Sequence, residues 1–568
     1  MPTAAYNGNP SQRVFWKKSL LINLGYIALS VLLFSGSFPN LLFKEGFPFF
    51  AWVAYIPIFI LLYRVSLAAS VFWGAIYGYA AYALFNYWLG AFHPLAGIIV
   101  NSIYMVYTAF LFFLLRLAIE FFPRKAYLVQ WAIWVAFEYL CTLGFLGYPY
   151  GITGYTQWRI IPLIQIASIT GVWGVSALVV FPSVWLGAKL GMRNEKLEIK
   201  SVVREQSRSS KQKDNKQRPL FSFPFPHFSF SIILWAAALA ATLVYGFAVQ
   251  KDYSPVPHKT IALIQHNTDP WKGGIVQYRN NFNTLRKLSD DALASEPKPD
   301  LVVWSETAFV PRIYWHETYR DDRASWLLVK DLLDYLATSP VPFVIGNDDA
   351  RKDPSKNPKA HEDYRIDYNA AMLFEGGVNT GIYRKTHLVP FTEHFPYERQ
   401  FPAIHRALVN ADTHFWEKGT EATVFSLPGF AFSTPICFED SFGYLSRKFV
   451  QNGAELIVNL SNDAWSQSLP AQNQHLAMAV FRAVENRRSM ARATASGQTC
   501  GIDPNGRIIA MAQPFTEASL SLAIPIVKSN TVYTRWGDFL AIGFTVTVVF
   551  LLLIGGVLYI ITKKRRKQ

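Results

Sequence analysis

The chain has 568 residues, too many for a single hydrophobic core, so at least two domains are expected. Hydrophobic residues make up 51% of it and charged residues only 16%, against roughly 25% charged residues in soluble proteins, which excludes an ordinary soluble protein. The net charge of +15 lies outside residues 251–535, where Lys and Arg nearly balance Asp and Glu, and this placement disfavours nucleic-acid binding.

Apolar segments long enough to cross a bilayer, which takes about 20 residues, recur through the first part of the chain and return near its end. A cleaved signal peptide is an alternative for the first segment, but the spans that follow directly favour a retained helix. The sequence predicts eight spans, near residues 20–37, 47–63, 67–91, 96–121, 126–146, 163–187, 228–249 and 539–562.

The basic residues of the short loops predict the orientation of these spans. They cluster at both termini, after the second and fourth spans and in segment 189–218, and eight spans place all of these clusters on one side. That side is expected to be cytoplasmic, so the large polar domain faces outward. The predicted organisation is a seven-helix membrane domain at 1–250 with a solvated basic loop at 189–218, an outward domain at 251–535, and an eighth helix with a basic tail at 536–568.

In the outward domain, short β-rich apolar runs alternate with segments whose apolar residues recur at helical spacing. This alternation predicts a mixed-sheet α/β domain covered by helices. Hairpins are predicted around Glu375–Gly381 and Pro428–Gly429, and Asp503–Gly506 is a turn between two further strands. Strands are predicted at Thr260–Gln265, Leu301–Trp304, Pro342–Gly346 and Glu455–Leu460, and helices at Tyr278–Leu293, Ser325–Leu336 and 441–451.

The chain contains three cysteines, Cys141, Cys437 and Cys500, a set too sparse for a disulfide framework. Cys437 follows the apolar run 430–436 and precedes a predicted helix, where N–H groups would favour its thiolate form. That position suits a nucleophile. A buried, inert cysteine is the alternative.

Two further residues can serve such a nucleophile. Lys385 follows a predicted strand, and a buried ammonium there would stabilise the oxyanion of a tetrahedral intermediate; a surface lysine is the alternative. Glu306 follows the strand at 301–304 and can act as general base, or it is an N-terminal acid of a helix. Glu393 and Glu439 lie close in sequence to the lysine and the cysteine, and taken singly each fits a structural hydrogen-bond partner better than the base.

The sequence contains no nucleotide-binding loop, no dinucleotide fingerprint and no metal-ligand spacing. The histidines lack the spacing of metal ligands, namely His361, His387, His394 and His475. We therefore expect no cofactor and no metal.

Glu306, Lys385 and Cys437, in this order and these contexts, resemble the carbon–nitrogen hydrolase (nitrilase) superfamily. With the membrane spans included, the chain resembles the apolipoprotein N-acyltransferase family. Phe438 stands where the family often has tyrosine, and Ser305 where it often has proline, but neither change removes a catalytic group. The resemblance covers nearly all of the chain, from Gly147–Tyr155 to the last span. Its most specific matches are His387–Glu393 and Ser461–Trp465, with a further family stretch at Gln474-His475, Arg482-Ala483 and Glu485.

The resemblance implies an α-β-β-α sandwich inserted between the helices of an eight-helix membrane bundle. It also implies roles for individual residues. Glu306 would be the general base, Lys385 would stabilise the intermediate, and Cys437 would be the nucleophile. The supporting residues would be Glu393, Glu439 and Trp465.

The family's activity implies a two-step reaction in which Cys437 takes an acyl chain from a membrane phospholipid as a thioester. The α-amino group of a lipoprotein's diacylglyceryl-cysteine then attacks that thioester. The implied partners are a phospholipid donor, a lipoprotein acceptor and membrane lipid, without nucleic acid, and a monomer is expected. The implied location is the bacterial cytoplasmic (inner) membrane, with cytoplasmic termini and a periplasmic catalytic domain.

Other functions stay open from the sequence. A membrane-tethered amidase would use water in place of the amine, and a non-catalytic protein would only bind lipid or lipoprotein. Transport is disfavoured because Glu138 is one of few acids within the spans. Trp271, Phe415 and Trp416 would form a lipid-facing rim or serve ordinary packing.

Overall fold

The computed structural model describes residues 10–92, 94–208, 230–269, 272–353, 365–410 and 415–565. Short 3₁₀ helices cover Thr153–Gln157 and Cys437–Ser441. The strands are β1 (His258–Gln265), β2 (Leu301–Trp304), β3 (Phe343–Lys352), β4 (Arg365–Glu375), β5 (Val378–Arg384), β6 (Val424–Leu427), β7 (Phe430–Ser433), β8 (Leu456–Ser461), β9 (Ser489–Thr494), β10 (Cys500–Ile502), β11 (Ile508–Met511) and β12 (Ala518–Pro525). The α-helices are α1 (Pro10–Ser37), α2 (Pro48–Ala51), α3 (Ile56–Arg64), α4 (Leu67–Phe85), α5 (Leu89–Phe92), α6 (Pro94–Phe121), α7 (Ala126–Leu140), α8 (Ile161–Ile164), α9 (Ala167–Thr170), α10 (Val172–Arg208), α11 (Phe230–Val249), α12 (Gly274–Ala294), α13 (Ile313–Tyr319), α14 (Arg323–Ala337), α15 (Pro402–Asn410), α16 (Gly443–Gln451), α17 (Leu469–Asn486), α18 (Val532–Trp536) and α19 (Phe539–Arg565).

Two six-stranded mixed sheets form the centre of the domain between α11 and α18, in the orders β12-β1-β2-β3-β4-β5 and β11-β10-β9-β8-β7-β6. In the first sheet β1, β2 and β3 are parallel, and the pairs that flank them are antiparallel. In the second sheet β7, β8 and β9 are parallel, again with antiparallel flanking pairs. The predicted mixed-sheet α/β class is confirmed.

Alternating side chains of β1 show how the layers form. Ile261 and Leu263 are buried with residues of the second sheet, whereas Ala262 and Ile264 are buried with residues of α12 and α14. This period of two lets β1 pack on both faces of the first sheet. Because α16 and α17 lie against the second sheet, the layer order is α-β-β-α, as the resemblance implies.

Six helices of the described residues are long and apolar enough to cross a membrane. Close contact between α4 and α6 depends on small residues, because a Cβ atom on Gly78 would lie 1.8 Å from Thr108 Oγ1. Helices in lipid rely on such close packing. The six segments are Ser19–Ser37, Leu67–Phe85, Leu95–Phe121, Val172–Arg193, Phe230–Val249 and Phe539–Arg565.

The predicted count of eight spans is not confirmed. The segment at 47–63 consists of the short helices α2 and α3, and α7 has 15 residues, or about 22 Å against about 30 Å of hydrocarbon. The segment at 163–187 is divided at Gly171, which has φ +64° and ends α9 before α10 begins.

The predicted loop at 189–218 is corrected in its first part, because α10 continues through it to Arg208. Residues 189–208 contain no proline and are rich in Lys, Arg and Glu, which favour helix. Of the predicted basic segments, residues 209–218 and 566–568 lie outside the described residues.

Helix α17 joins the sandwich to the membrane helices through buried polar contacts. Trp88 Nε1 donates to Gln474 Oε1 over 3.1 Å, and Arg482 Nη2 donates to the Tyr155 hydroxyl over 3.1 Å. Glu485 accepts from the first backbone N–H of α10, at 3.0 Å. Buried donors and acceptors of the two parts therefore satisfy each other, which fixes how the sandwich sits on the helices.

Candidate active site

Three strand ends bring Glu306, Lys385 and Cys437 together between the sheets. Glu306 lies just beyond β2 and Lys385 directly after β5, both in the first sheet, whereas Cys437 follows β7 of the second. The Lys385 Nζ atom lies 3.3 Å from Glu306 Oε1. Cys437 lies beside them, because Glu439, two residues after it, accepts from the backbone N–H of Thr386, the residue after Lys385, at 2.8 Å. The three residues singled out from the sequence thus share one site.

Hydrogen bonds hold both carboxylate oxygens of Glu306. Asn369 Nδ2 on β4 donates to Oε1 over 2.8 Å, and the backbone N–H of Asn462 donates to Oε2 over 2.9 Å. Strand β3 approaches this backbone closely at Gly346, where a Cβ atom would lie 2.3 Å from the Ser305 carbonyl oxygen. The buried carboxylate is therefore fixed in orientation, which suits a base that must meet a thiol.

Lys385 is fully buried and paired with two carboxylates. Its Nζ atom lies 2.8 Å from Glu393 Oε1 in addition to the contact with Glu306. Burial alone would lower the pKa of Lys385, but the carboxylates of Glu393 and Glu306 outweigh it and raise that pKa above its ordinary value. The surface-lysine alternative is thereby excluded, and a fixed positive charge lies in a site shielded from water.

Cys437 begins the 3₁₀ turn with φ +50°, a left-handed conformation that is uncommon for a residue with a side chain. Asn459 Nδ2 donates to the Cys437 carbonyl oxygen over 3.3 Å. Burial and the Glu306 carboxylate raise the pKa of the thiol well above its ordinary value, and Lys385 only partly opposes them. The expectation that helix N–H groups hold a resting thiolate is therefore wrong: the thiol is protonated and needs a base.

Glu439 ties the nucleophile turn, defined as Cys437–Ser441, to the segment after Lys385. Its carboxylate accepts from the backbone N–H of Ile436 at 2.8 Å, and from those of Thr386 at 2.8 Å and His387 at 2.9 Å. Burial raises its pKa although these donors lower it. Glu439 thus makes the structural hydrogen bonds expected of it.

Glu393 contacts the site directly through Lys385. Its second oxygen accepts from the Val389 backbone N–H over 2.9 Å. Burial raises the pKa of Glu393, Lys385 lowers it, and Glu306 raises it again, so the net shift is upward. Three ionisable side chains, Glu306, Lys385 and Glu393, therefore form one buried group.

Trp465 lies three residues after Asn462, and its ring centroid is 5.7 Å from that of Trp88 between α4 and α5. It thus lies between the site and the membrane helices. Two residues of the predicted lipid-facing rim make contacts within the domain. Trp416 Nε1 donates to Asp348 Oδ1 over 3.1 Å, and the ring centroids of Phe415 and His405 are 5.4 Å apart. Trp271 and His361 lie outside the described residues.

Residues outside the predicted set hold the site in place. Asn369, Asn459 and Asp440 were not singled out, although each contacts a catalytic candidate or shares its turn. The available signal was polar residues inside apolar strand patterns, such as Asn369 in β4. Among the described residues, no group of three or more His, Cys, Asp or Glu is arranged to hold a metal ion.

A protonated thiol beside a fixed carboxylate and a fixed ammonium can carry out acyl transfer. The carboxylate can take the thiol proton, the sulfur can attack a carbonyl carbon, and the ammonium can stabilise the oxyanion that forms. The same three groups serve ester or amide substrates, with water or an amine as acceptor.

Comparison with known proteins identifies the family. Residues 260–532 match the carbon-nitrogen hydrolase family, and residues 30–185 match the apolipoprotein N-acyltransferase N-terminal domain. Among solved structures, an amidase of the nitrilase superfamily from Nesterenkonia AN1 is 18% identical with a TM-score of 0.34, covering 50% of this chain and 96% of that one.

Two relatives are similar over nearly the whole length. Apolipoprotein N-acyltransferase 1 of Treponema denticola is 44% identical, over 93% of this chain and 95% of the relative. Apolipoprotein N-acyltransferase 1 of Treponema pallidum is 45% identical, over 97% of this chain and 98% of the relative. The chain therefore belongs to the apolipoprotein N-acyltransferase family.

Proposed function

We propose that this chain transfers an acyl chain from a membrane phospholipid to the α-amino group of an apolipoprotein's N-terminal diacylglyceryl-cysteine, through a thioester on Cys437. Membership of the family supports the overall reaction. The observation that carries the residue assignment is the buried Glu306–Lys385 pair beside a protonated thiol. Each group supplies one requirement of acyl transfer.

In the first half-reaction, Glu306 takes the thiol proton while the Cys437 sulfur attacks the ester carbonyl carbon of the phospholipid. The tetrahedral intermediate carries a negative oxygen, and the Lys385 ammonium stabilises it. When the ester C–O bond breaks, the leaving oxygen takes the proton from Glu306. The products are a thioester and a lysophospholipid.

In the second half-reaction, the neutral α-amine of the acceptor attacks the thioester carbonyl, and Glu306 takes the proton that the amine nitrogen loses. Lys385 again stabilises the oxyanion. The C–S bond then breaks, and the thiolate regains its proton from Glu306, which restores the resting site. Splitting the transfer this way lets one nucleophile serve a lipid donor and a protein acceptor in turn.

The distribution of charge supports a specific topology. Basic residues cluster at both chain ends, after the second and fourth predicted spans and in segment 189–218, so we place these segments in the cytoplasm and residues 251–535 in the periplasm. The membrane is then the bacterial inner membrane. Within this proposal, residues 1–250 form the membrane domain, residues 536–568 form a last membrane helix with a cytoplasmic basic tail, and one chain suffices for activity.

The test uses the full-length protein in detergent, incubated with phosphatidylethanolamine and followed by intact mass. An added acyl chain is expected, removable by hydroxylamine and absent in Cys437→Ala. Cys500→Ala is the matched control and should retain the adduct, since Cys500 is fully buried. A lipopeptide with a free α-amine should then discharge the adduct.

Each failure of this test has a distinct meaning. An adduct that water discharges but a lipopeptide does not would indicate the amidase. An adduct that persists in Cys437→Ala would contradict the assigned nucleophile. If no adduct forms with the folded protein, a non-catalytic lipid-binding role would replace the proposal.

A further inference from the structure

Four charged side chains lie buried beneath the nucleophile turn, and the mechanism above does not use them. They are Asp440 within the turn, Asp463 after β8, His475 on α17 and Arg492 on β9, here named the charged cluster. All four residues are buried. Burial of so many charges is costly unless they compensate each other.

The geometry of the charged cluster provides this compensation. His475 Nε2 lies 2.6 Å from Asp440 Oδ1, and His475 Nδ1 lies 3.5 Å from Asp463 Oδ1. Arg492 forms an ion pair with Asp440, and its Nη2 atom lies 3.8 Å from Asp463 Oδ2. With a protonated histidine, two cations balance two carboxylates.

The histidine is protonated at neutral pH. Burial and Arg492 lower the pKa of His475, but the carboxylates of Asp440 and Asp463 outweigh them and raise it to about 9. Cys500 on β10 faces the same charges, and burial raises the pKa of its thiol to about 12, so it stays neutral. Among the charged cluster and Cys500, His475 is therefore the group whose charge changes first as the pH rises from neutrality.

The nucleophile turn needs such a restraint. Cys437 has left-handed backbone geometry, which persists only where the surroundings over-determine it. Asp440 is three residues further on in the same 3₁₀ turn, so it lies on the same side of the turn as Cys437. Arg482 Nη1 also donates to the carbonyl oxygen of Ser441 at the end of the turn, over 3.2 Å.

The charged cluster also reaches the general base. Asp463 directly follows Asn462, whose backbone N–H donates to Glu306 Oε2. The hydroxyl of Ser461, the last residue of β8, donates to Asp463 Oδ1 over 2.9 Å. One buried set of charges thus holds both the nucleophile turn and the loop that orients the base.

We propose that Asp440, His475, Arg492 and Asp463 form a positioning device that holds the Cys437 thiol in line with Glu306, and that the positive charge of His475 is required for it. This inference rests on the proposed function, because it assigns the cluster to thioester formation. None of the four residues is a catalytic residue, since each acts through the turn or the loop. Loss of the histidine charge leaves the cluster with excess negative charge and loosens its hold on the turn.

The test measures the single-turnover rate of Cys437 acylation by excess phosphatidylethanolamine, over pH 7–10, by intact mass. His475→Gln keeps a hydrogen-bond donor at position 475 but removes the positive charge. Asp440→Asn keeps the shape of the side chain that pairs with His475 but removes its negative charge. Each is expected to slow acylation at saturating phospholipid roughly a hundredfold, the order of effect of misplaced reacting groups, with little change in the phospholipid concentration for half-maximal rate. The acylation rate of the double variant should be no lower than that of the slower single variant, because both substitutions break the same interaction.

The pH profile separates positioning from mere packing. The wild-type rate is expected to fall as the pH passes about 9, and His475→Gln should lack this fall. His316→Gln is the matched control, because His316 pairs with Asp321 at 3.1 Å and not with the nucleophile turn. The acylation rate of this variant should equal that of the wild type.

Two results would overturn the inference while leaving the proposed function intact. One is a wild-type acylation rate in folded His475→Gln and Asp440→Asn. The other is a wild-type acylation rate that does not fall between pH 8 and 10. This measurement does not depend on whether a variant folds. Absence of any adduct in the wild type would instead contradict the proposed function.

Discussion

Replacement of Glu306 by Gln tests the general base with little disturbance of the fold. Glutamine has nearly the same shape, and its amide oxygen can still accept one of the two hydrogen bonds that reach the carboxylate from Asn369 and Asn462. Lys385 keeps its ion pair with Glu393 at 2.8 Å. The variant therefore removes a proton acceptor and leaves a paired lysine and an intact nucleophile turn.

The expected magnitude follows from the protonation of Cys437. A thiol with an ordinary pKa near 9 is only about 1% ionised at pH 7, and burial with the nearby carboxylates makes the thiolate of Cys437 still scarcer. A positioned base contributes roughly 10²–10⁴-fold in such a proton transfer. We expect Glu306→Gln to slow thioester formation by that factor at pH 7, and the residual rate to rise about tenfold per pH unit, because it now depends on the rare thiolate.

Intact mass after rapid mixing with phosphatidylethanolamine measures this rate at a series of pH values. Glu455→Gln is the matched control, because Glu455 is a carboxylate of the same domain that pairs with Lys528 at 2.7 Å. Its rate and pH dependence should equal those of wild type. A Glu306→Gln protein with the wild-type rate and the wild-type pH profile would refute Glu306 as the base.

Three further predictions concern the buried charges. Lys385→Met leaves two carboxylates without their shared cation. The thioester yield in a timed assay should therefore fall at least about a hundredfold, and the free energy of unfolding should fall by about 3–5 kcal/mol. A wild-type yield would contradict the role of the lysine. Arg482→Met leaves Glu485 unpaired at the junction with α10, so thermal scans in detergent should show a lower midpoint, and an unchanged midpoint would count against this ion pair. The pKa of His475 is about 9 when folded and 6.5 ordinarily, so its stabilising contribution is complete below pH 6.5 and lost as the pH rises through 9. Wild-type melting temperatures should show this decline, and equal pH dependence in His475→Gln would contradict it.

Local patterns predicted the elements that carry the site. Strand β2 has the predicted bounds, Leu301–Trp304, and the hairpin of β4 and β5 turns within the predicted segment. Cys437 ends an apolar run before a helix, as expected, although a 3₁₀ turn intervenes. These features depend on periodicity and turn residues that lie within a few positions of each other, so the sequence contains them directly.

Features that depend on distant contacts were not predictable in the same way. The pairing of β1 with β12 joins residues about 260 positions apart, and no local pattern specifies it. The pKa of Cys437 depends on the burial and charges of the folded site, so the predicted thiolate was wrong. The charged cluster is likewise invisible in the sequence, because Asp440 and Arg492 meet only when β9 lies beside β8 beneath the turn.

Helix α17 explains how a catalytic site and a membrane bundle can act as one unit. Along a single buried helix, Gln474 contacts Trp88 of the membrane part, His475 contacts the nucleophile turn, and Arg482 contacts both Tyr155 and the end of that turn. Gln474 and His475 are adjacent and so point about 100° apart, which lets one face of α17 contact the bundle and its flank contact the turn. Arg482 lies two turns after His475 on that flank. A shift of the sandwich relative to the membrane helices would therefore disturb the Cys437 backbone. Because the acyl donor lies in the bilayer and the thiol lies in the sandwich, this rigid link fixes the distance over which the lipid ester must reach the sulfur.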